Sequence, residues 1–145
     1  MTARIVVFGA GAWGVTLADL LARKGMEVCI WDIDEAHLAR LKETREPGRP
    51  PGLRIADSLR VEGEFGRAVA NADILVCAVP SFAVRSLCER LRAALPDLQR
   101  RVFVSVSKGI EEGTLLLPSQ VFAQFFGAAA LDRFAILSGP SHAEE

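Results

Sequence analysis

Arg4-Ile-Val-Val-Phe-Gly-Ala-Gly-Ala-Trp-Gly-Val-Thr-Leu-Ala18 is the stretch that decides the fold. Ile5 to Phe8 form an apolar, largely β-branched run of strand type. It leads directly into Gly9, Gly11 and Gly14 at G-x-G-x-x-G spacing, and an apolar helix pattern follows. A second strand pattern, Glu27 to Asp32, ends on an acid. A bare G-x-G-x-x-G says little. One that follows a strand, opens a helix and precedes a second strand ending in a carboxylate is the fingerprint of a dinucleotide site. Each part has a physical reason. Gly9 permits a tight turn, Gly11 lets the backbone approach a pyrophosphate, and Gly14 lets the helix pack close to the strand. The helix N-terminus offers free N–H groups and a positive dipole end to phosphate oxygens. The competing interpretation, a glycine-rich turn in a plain α/β domain, leaves Asp32 unexplained.

Outward from this unit, strands and helices alternate to the end of the chain, which predicts an α/β, Rossmann-like, doubly wound and mostly parallel sheet with helices on both faces. The first helix is expected from about Trp13 to Lys24, with Leu17, Leu20 and Leu21 facing inward and Gly25 capping its end. Asp34 is placed to cap a second helix ending near Arg45. Glu46-Pro-Gly-Arg-Pro-Pro-Gly-Leu53 is a loop by composition. A short strand near Leu59 to Val61 and a short helix near Glu64 to Ala70 precede a buried strand, Asp73 to Pro80. Val84, Leu87, Cys88, Leu91 and Leu95 form one apolar stripe of a helix that Pro96 ends. Arg101 to Ser107 reads as a strand, Leu116 to Phe126 as a helix with Pro118 in its first turn, and Phe134 to Ser138 as a last strand.

The chain has 145 residues, a length that suits one domain. Half of the residues are hydrophobic and the mean hydropathy is +0.26. Parallel strands buried on both faces, together with a contact surface for a further domain, account for that. A net charge of -1 without a strongly basic segment gives nucleic-acid binding no electrostatic support. No run reaches transmembrane length, and the glycines interrupt the first apolar run too early for a secretory signal. The three cysteines, Cys29, Cys77 and Cys88, fall in strand or helix interiors without C-x-x-C spacing. Buried reduced thiols in a cytoplasmic protein, with no metal, are expected. His37 and His142 are far apart and have no ligand-like neighbours in sequence.

In an open α/β sheet, ligands bind outside the carboxyl ends of the strands. That edge collects the three glycines, Asp32, Pro80-Ser-Phe82, Ser107-Lys-Gly-Ile110 and Gly139-Pro-Ser-His-Ala-Glu144. Asp32 is the acceptor expected for the adenosine ribose hydroxyls, and its charge repels a 2′-phosphate; with no Lys or Arg at 32 to 36, NAD is favoured over NADP. Trp13 either shapes the wall beside the pyrophosphate or packs on the loop for stability. Lys108 suits a phosphate or a carbonyl oxygen. By residue type alone His142 could serve as a general base, against which stands the resemblance below, which puts the base elsewhere.

Four motifs, in this order and spacing, resemble the bacterial NAD(P)-dependent glycerol-3-phosphate dehydrogenases. They are Gly9-Ala-Gly-Ala-Trp-Gly14 with Thr16-Leu-Ala18, Ala78-Val-Pro-Ser81, Ser107-Lys-Gly-Ile-Glu111 and Leu137-Ser-Gly-Pro-Ser-His-Ala-Glu144. The last two together are the specific ones. The resemblance implies an enzyme that interconverts sn-glycerol 3-phosphate and dihydroxyacetone phosphate by hydride transfer, supplying glycerophospholipid synthesis. It implies that Ala12, Trp13 and Pro80 line the cofactor, that Lys108 touches cofactor and substrate, that Gly139 and Ser141 contact the substrate, and Ala143 the cofactor. It also implies that a lysine in a following helical domain transfers the proton. Residues 1–145 are then the cofactor domain, expected to bind a dinucleotide without turnover on its own. The chain departs from the family pattern in lacking an Asn between Arg45 and Leu53 and in carrying Asp32-Ile-Asp34 where a basic or neutral pair is usual. A non-catalytic dinucleotide-binding module or redox sensor is the alternative of another class. The oligomeric state, a homo-oligomer included, is left open by the sequence.

Overall fold

Val6, Val7 and Phe8 are wholly buried, and Ile5 nearly so. A strand covered on both faces in this way belongs at the centre of a layered sheet, not at a half-solvated edge. The computed structural model of the chain describes residues 3–139 and shows this strand, β1 (Arg4–Phe8), in the interior of a six-stranded sheet. The other strands are β2 (Glu27–Trp31), β3 (Arg60–Val61), β4 (Ile74–Cys77), β5 (Val102–Ser105) and β6 (Phe134–Ile136). They lie in the order β3-β2-β1-β4-β5-β6 and every pairing is parallel. The strand order reverses between β1 and β4, so a crevice opens there at the carboxyl ends.

The helices are α1 (Ala12–Arg23), α2 (Glu35–Thr44), α3 (Phe65–Val69), α4 (Val84–Ala94) and α5 (Pro118–Phe126). Right-handed crossovers put α1 and α2 on one face and α3, α4 and α5 on the other. Two aromatic clusters seal that second face. Phe8, Trp31 and Phe65 meet with ring centroids 4.9 to 6.2 Å apart, and Phe103, Phe122 and Phe134 with centroids 4.6 to 5.3 Å apart. The stripe Val84, Leu87, Cys88 and Leu91 of α4 is buried, as its spacing predicts.

The ends of the elements follow local chemistry. The Asp34 carboxylate accepts from the His37 N–H at 2.9 Å and caps α2. Gly25, at φ +83°, closes α1, with its N–H on the Ala22 carbonyl and that of Met26 on Leu21. Pro118 takes the first position of α5, where no N–H is needed. The strands at 73–80, 101–107 and 134–138 are shorter than the sequence predicts, because their last residues turn into the loops of the carboxyl edge.

The buried face of α1 corrects one expectation. Leu20 is 49% exposed, and Leu17 and Leu21 are only half-buried. The buried residues are Gly14, Val15, Ala18, Asp19 and Ala22. The helix lies so close to the sheet that small side chains take the innermost positions, Leu17 and Leu21 pack against the core at their flanks, and Leu20 points outward. Asp19 survives there because Arg23 Nε and the Ala56 N–H donate to its two oxygens at 2.7 and 2.6 Å. All three cysteines are buried free thiols. Burial pushes Cys29 up to about 11 and Cys88 up to about 12, and raises Cys77 as well.

Candidate functional site

The turn after β1 is built by steric necessity. Gly9 has φ +103°, and a Cβ there would meet the Ala78 carbonyl oxygen at 2.5 Å. Its N–H donates to the Trp31 carbonyl at 2.8 Å. A Cβ on Gly14 would lie 2.0 Å from the Gly9 carbonyl oxygen. Gly11 differs from both. It is the N-cap of α1 in an extended conformation, it is exposed, and a Cβ there would meet nothing within 4 Å. Two of the glycines are therefore required by the protein's own packing, and the third keeps open the space in front of a helix N-terminus. That terminus has no side-chain cap and no acid in its first turn. Its first N–H groups and its dipole face the crevice uncompensated, which is what an anion needs. Ala12 and Trp13, both exposed, stand at this mouth, and Trp13 has 54% of its surface free.

Asp32, just after β2, is joined to the glycine turn. Its Oδ2 accepts from the Ala10 N–H at 2.5 Å and its Oδ1 from the Asp34 N–H at 2.9 Å. The carbonyl of Ala10 is held as well. Arg40 Nη2 donates to His37 Nδ1 at 3.0 Å, so the ring proton sits on Nε2, which donates to the Ala10 oxygen at 3.1 Å. His37 thus belongs to the site's framework. Sequence reading missed it; the signal was a His three residues after a cap and three before an Arg on the helix that follows Asp32.

On the other side of the crevice, Pro80 opens a short 3₁₀ turn, Ser81–Ala83, that leaves Phe82 74% exposed. Ser107 Oγ donates to the Val79 carbonyl at 2.6 Å, tying the end of β5 to that of β4. Gly109 has φ +86°, and a Cβ there would approach Ser81 Oγ at 3.7 Å, so the two loops lie side by side. Lys108 is exposed, and among the described residues it makes no hydrogen bond or ion pair. Glu111, at the end of the same segment, is buried against Arg85. Nothing in the sequence marked that pair. Gly139 follows β6 and is exposed. Along the carboxyl edge the spatial order is therefore Asp32, the glycine turn, Pro80, Lys108, Gly139. Ser141, His142, Ala143 and Glu144 lie outside the described residues. Among the described residues, no group of three or more His, Cys, Asp or Glu is placed to hold a metal ion, and no helix is long and apolar enough to cross a membrane.

A parallel sheet with this strand order, an uncapped helix N-terminus at its switch point and a carboxylate bonded to the glycine turn defines a Rossmann-type dinucleotide-binding domain. Comparison with known proteins narrows the class. The family described as NAD-dependent glycerol-3-phosphate dehydrogenase N-terminus matches residues 4–145, and the chain belongs to it. It is 40% identical over 146 residues to the glycerol-3-phosphate dehydrogenase [NAD(P)+] of Pelotomaculum thermopropionicum, covering 100% of this chain and 41% of the relative. It is 45% identical over 142 residues to that of Chlorobium limicola, covering 97% of this chain and 42% of the relative. The solved glycerol-3-phosphate dehydrogenase of Coxiella burnetii superposes with a TM-score of 0.85 at 25% identity, covering 97% of this chain and 42% of that one. The chain thus spans about two fifths of the length of the relatives it matches.

Proposed function

We propose that this chain is the cofactor-binding part of a glycerol-3-phosphate dehydrogenase that interconverts sn-glycerol 3-phosphate and dihydroxyacetone phosphate in the cytoplasm. The observation that carries the dinucleotide half of this reading is the contrast among the three glycines. Gly9 and Gly14 are locked by neighbours within 2.5 Å, while Gly11 faces open space in front of the uncapped end of α1. The pyrophosphate is held by the N–H groups of Ala12 and Trp13 and by the helix dipole, at the opening that Gly11 leaves. Asp32, fixed by two backbone donors, keeps lone pairs for the adenosine ribose hydroxyls. Pro80 and Ala143 line the cofactor. Lys108, Gly139 and Ser141 face the substrate, with Lys108 giving its charge to cofactor and substrate oxygens. A nicotinamide bound here supplies the hydride. The proton-transfer group is assigned to the region of the relatives that this chain does not span, a lysine of a following helical domain.

NAD is the preferred cofactor in this reading. A hydrogen bond to a charged group contributes roughly 1.5–3 kcal/mol, or about 10- to 150-fold in affinity. Calorimetric titration of the 145-residue chain with NADH and NADPH measures this, and the expected result is NADH binding tighter by that factor. NADPH binding equally well or better overturns the preference. A folded chain, by circular dichroism, that binds neither overturns the dinucleotide reading. NADH oxidation by this chain with dihydroxyacetone phosphate should be undetectable, and clear turnover would overturn the assignment of the proton donor to another domain, pointing to His142.

A further inference from the structure

Lys108 sits on a segment fixed at both ends by side chains the reaction itself does not need. At one end the Ser107 hydroxyl bonds the Val79 carbonyl at 2.6 Å. At the other, Arg85 of α4 grips Glu111 in a two-point fork, Nε to Oε1 at 2.8 Å and Nη2 to Oε2 at 2.7 Å. The fork is itself braced. Arg85 also donates to Gln124 Oε1 at 2.9 Å, its guanidinium lies 5.7 Å from the centre of the Phe125 ring, and the Thr114 hydroxyl donates to Glu111 Oε2. The Glu111 backbone joins in, its N–H on the Leu116 carbonyl and its carbonyl on the Leu115 N–H. The Glu111 side chain is only 11% exposed and that of Arg85 32%, so two helices converge on one half-buried ion pair. Between the anchors stand only Lys108, Gly109 and Ile110, and Lys108 has no partner of its own among the described residues.

A long lysine on a mobile loop loses much of its binding energy to ordering entropy. One carried by a short, doubly anchored bridge has its backbone fixed in advance. We infer that the Arg85–Glu111 fork is the positioning device for Lys108: it holds the Lys108 backbone against the neighbouring Ser81 loop, so that the ammonium meets the nicotinamide-side oxygens of a bound dinucleotide without reordering. Arg85 and Glu111 act through Lys108 and touch no ligand. The cause of the arrangement is partly electrostatic. The Arg85 guanidinium and the Thr114 hydroxyl hold the Glu111 carboxyl at about 2, so the pair stays charged at any working pH.

The inference rests on the assignment of Lys108 to cofactor and substrate given above, and the test separates the two. The full chain is titrated with NADH and with ADP-ribose, which lacks the nicotinamide and so uses only the glycine turn and the Asp32 end. Lys108→Ala is expected to weaken NADH roughly tenfold and to leave ADP-ribose within about twofold. Glu111→Gln is expected to reproduce that split, and, placed on top of Lys108→Ala, to change NADH affinity by less than about twofold. Arg85→Lys, which keeps the charge but loses the fork, should behave as Glu111→Gln does and stands in for it if circular dichroism shows that variant to be unfolded. NADH binding indifferent to Lys108→Ala overturns the assignment of Lys108 and the inference with it. An effect of Lys108→Ala with none from the fork variants, or a fork effect that adds fully to that of Lys108→Ala or weakens ADP-ribose equally, overturns the positioning role alone.

Discussion

The two sides of the crevice are made by different means. At the β1–β2 side the backbone is the active material: Gly9 and Gly14 are squeezed by carbonyl oxygens, and the Ala10 peptide is bonded through its N–H to Asp32 and through its carbonyl to His37. At the β4–β5 side the turns at Gly109 and Gly113 are uncrowded, and side chains far apart in sequence supply the order, Ser107 with Val79 and Arg85 with Glu111. The first side resembles a mould cast in main chain, which admits little change. The second is a scaffold of side chains, each contact of which can be removed by itself. Under the proposed assignments, the part of the site that meets any dinucleotide lies on the side held by crowded backbone, and the part that meets the reacting end on the side held by side chains.

Gly14→Ala should break this contrast most sharply. Its Cβ would lie 2.0 Å from a backbone oxygen that cannot yield without moving the whole turn. Overpacking of a rigid site costs about 1–3 kcal/mol and occasionally more, and the upper end is expected here. The urea midpoint of the variant measures it, and a midpoint equal to that of the parent would mean that the turn is as adaptable as the side-chain scaffold across the crevice.

Gly11→Ala sharpens the comparison in the opposite sense. The added methyl meets nothing within 4 Å and the residue's φ is -68°. Stability should fall by no more than about 1 kcal/mol, the difference between Gly and Ala at an N-cap. Affinity for NADH should fall by about tenfold or more, because the methyl fills the space where a pyrophosphate comes close to the backbone; a loss of that size corresponds to about 1.4 kcal/mol. Unchanged affinity with unchanged stability would deprive Gly11 of its role.

The smallest expected effect is one of pH. Glu111 is held at about 2 against an ordinary 4.5 by its bonds to Arg85 and Thr114. A carboxyl depressed by folding stabilises the native state above its unfolded value, and that stabilisation is lost as pH falls through the folded one. The urea midpoint should therefore drop between about pH 4.5 and 2, and Glu111→Gln should flatten part of this slope while leaving the profile above pH 5 parallel to the parent's. A variant as acid-sensitive as the parent would show the fork to be energetically silent.

The same contrast governs what could be read from the chain. The alternation of strands and helices and the caps at Asp34 and Gly25 follow from residues a few positions apart, and the sequence shows them; the order of the strands in the sheet does not. The geometry of the glycine turn was legible because sterics leaves few alternatives to G-x-G-x-x-G in that setting. Leu20 was misplaced because leucines normally mark a core stripe; close packing on the sheet gives the innermost positions to Gly14, Ala18 and Ala22, with Leu17 and Leu21 packed beside them. The fork was invisible because Arg85 and Glu111 are 26 positions apart and each, alone, is a surface-type residue. His37 was passed over because the partner that ties it to the site is a backbone carbonyl, and only its spacing from Asp34 and Arg40 pointed to it.

The placement of the tryptophans has a practical consequence. The chain has two. Trp31 is buried, its indole N–H bonded to the Gly63 carbonyl, while Trp13 stands half exposed at the mouth of the glycine turn. With Trp31→Phe, the protein carries a single indole, and it stands at the cofactor's doorstep. With the dinucleotide seated as proposed, its emission becomes an optical reporter of occupancy, read without labels and on the timescale of stopped-flow mixing, so that arrival can be timed as well as weighed.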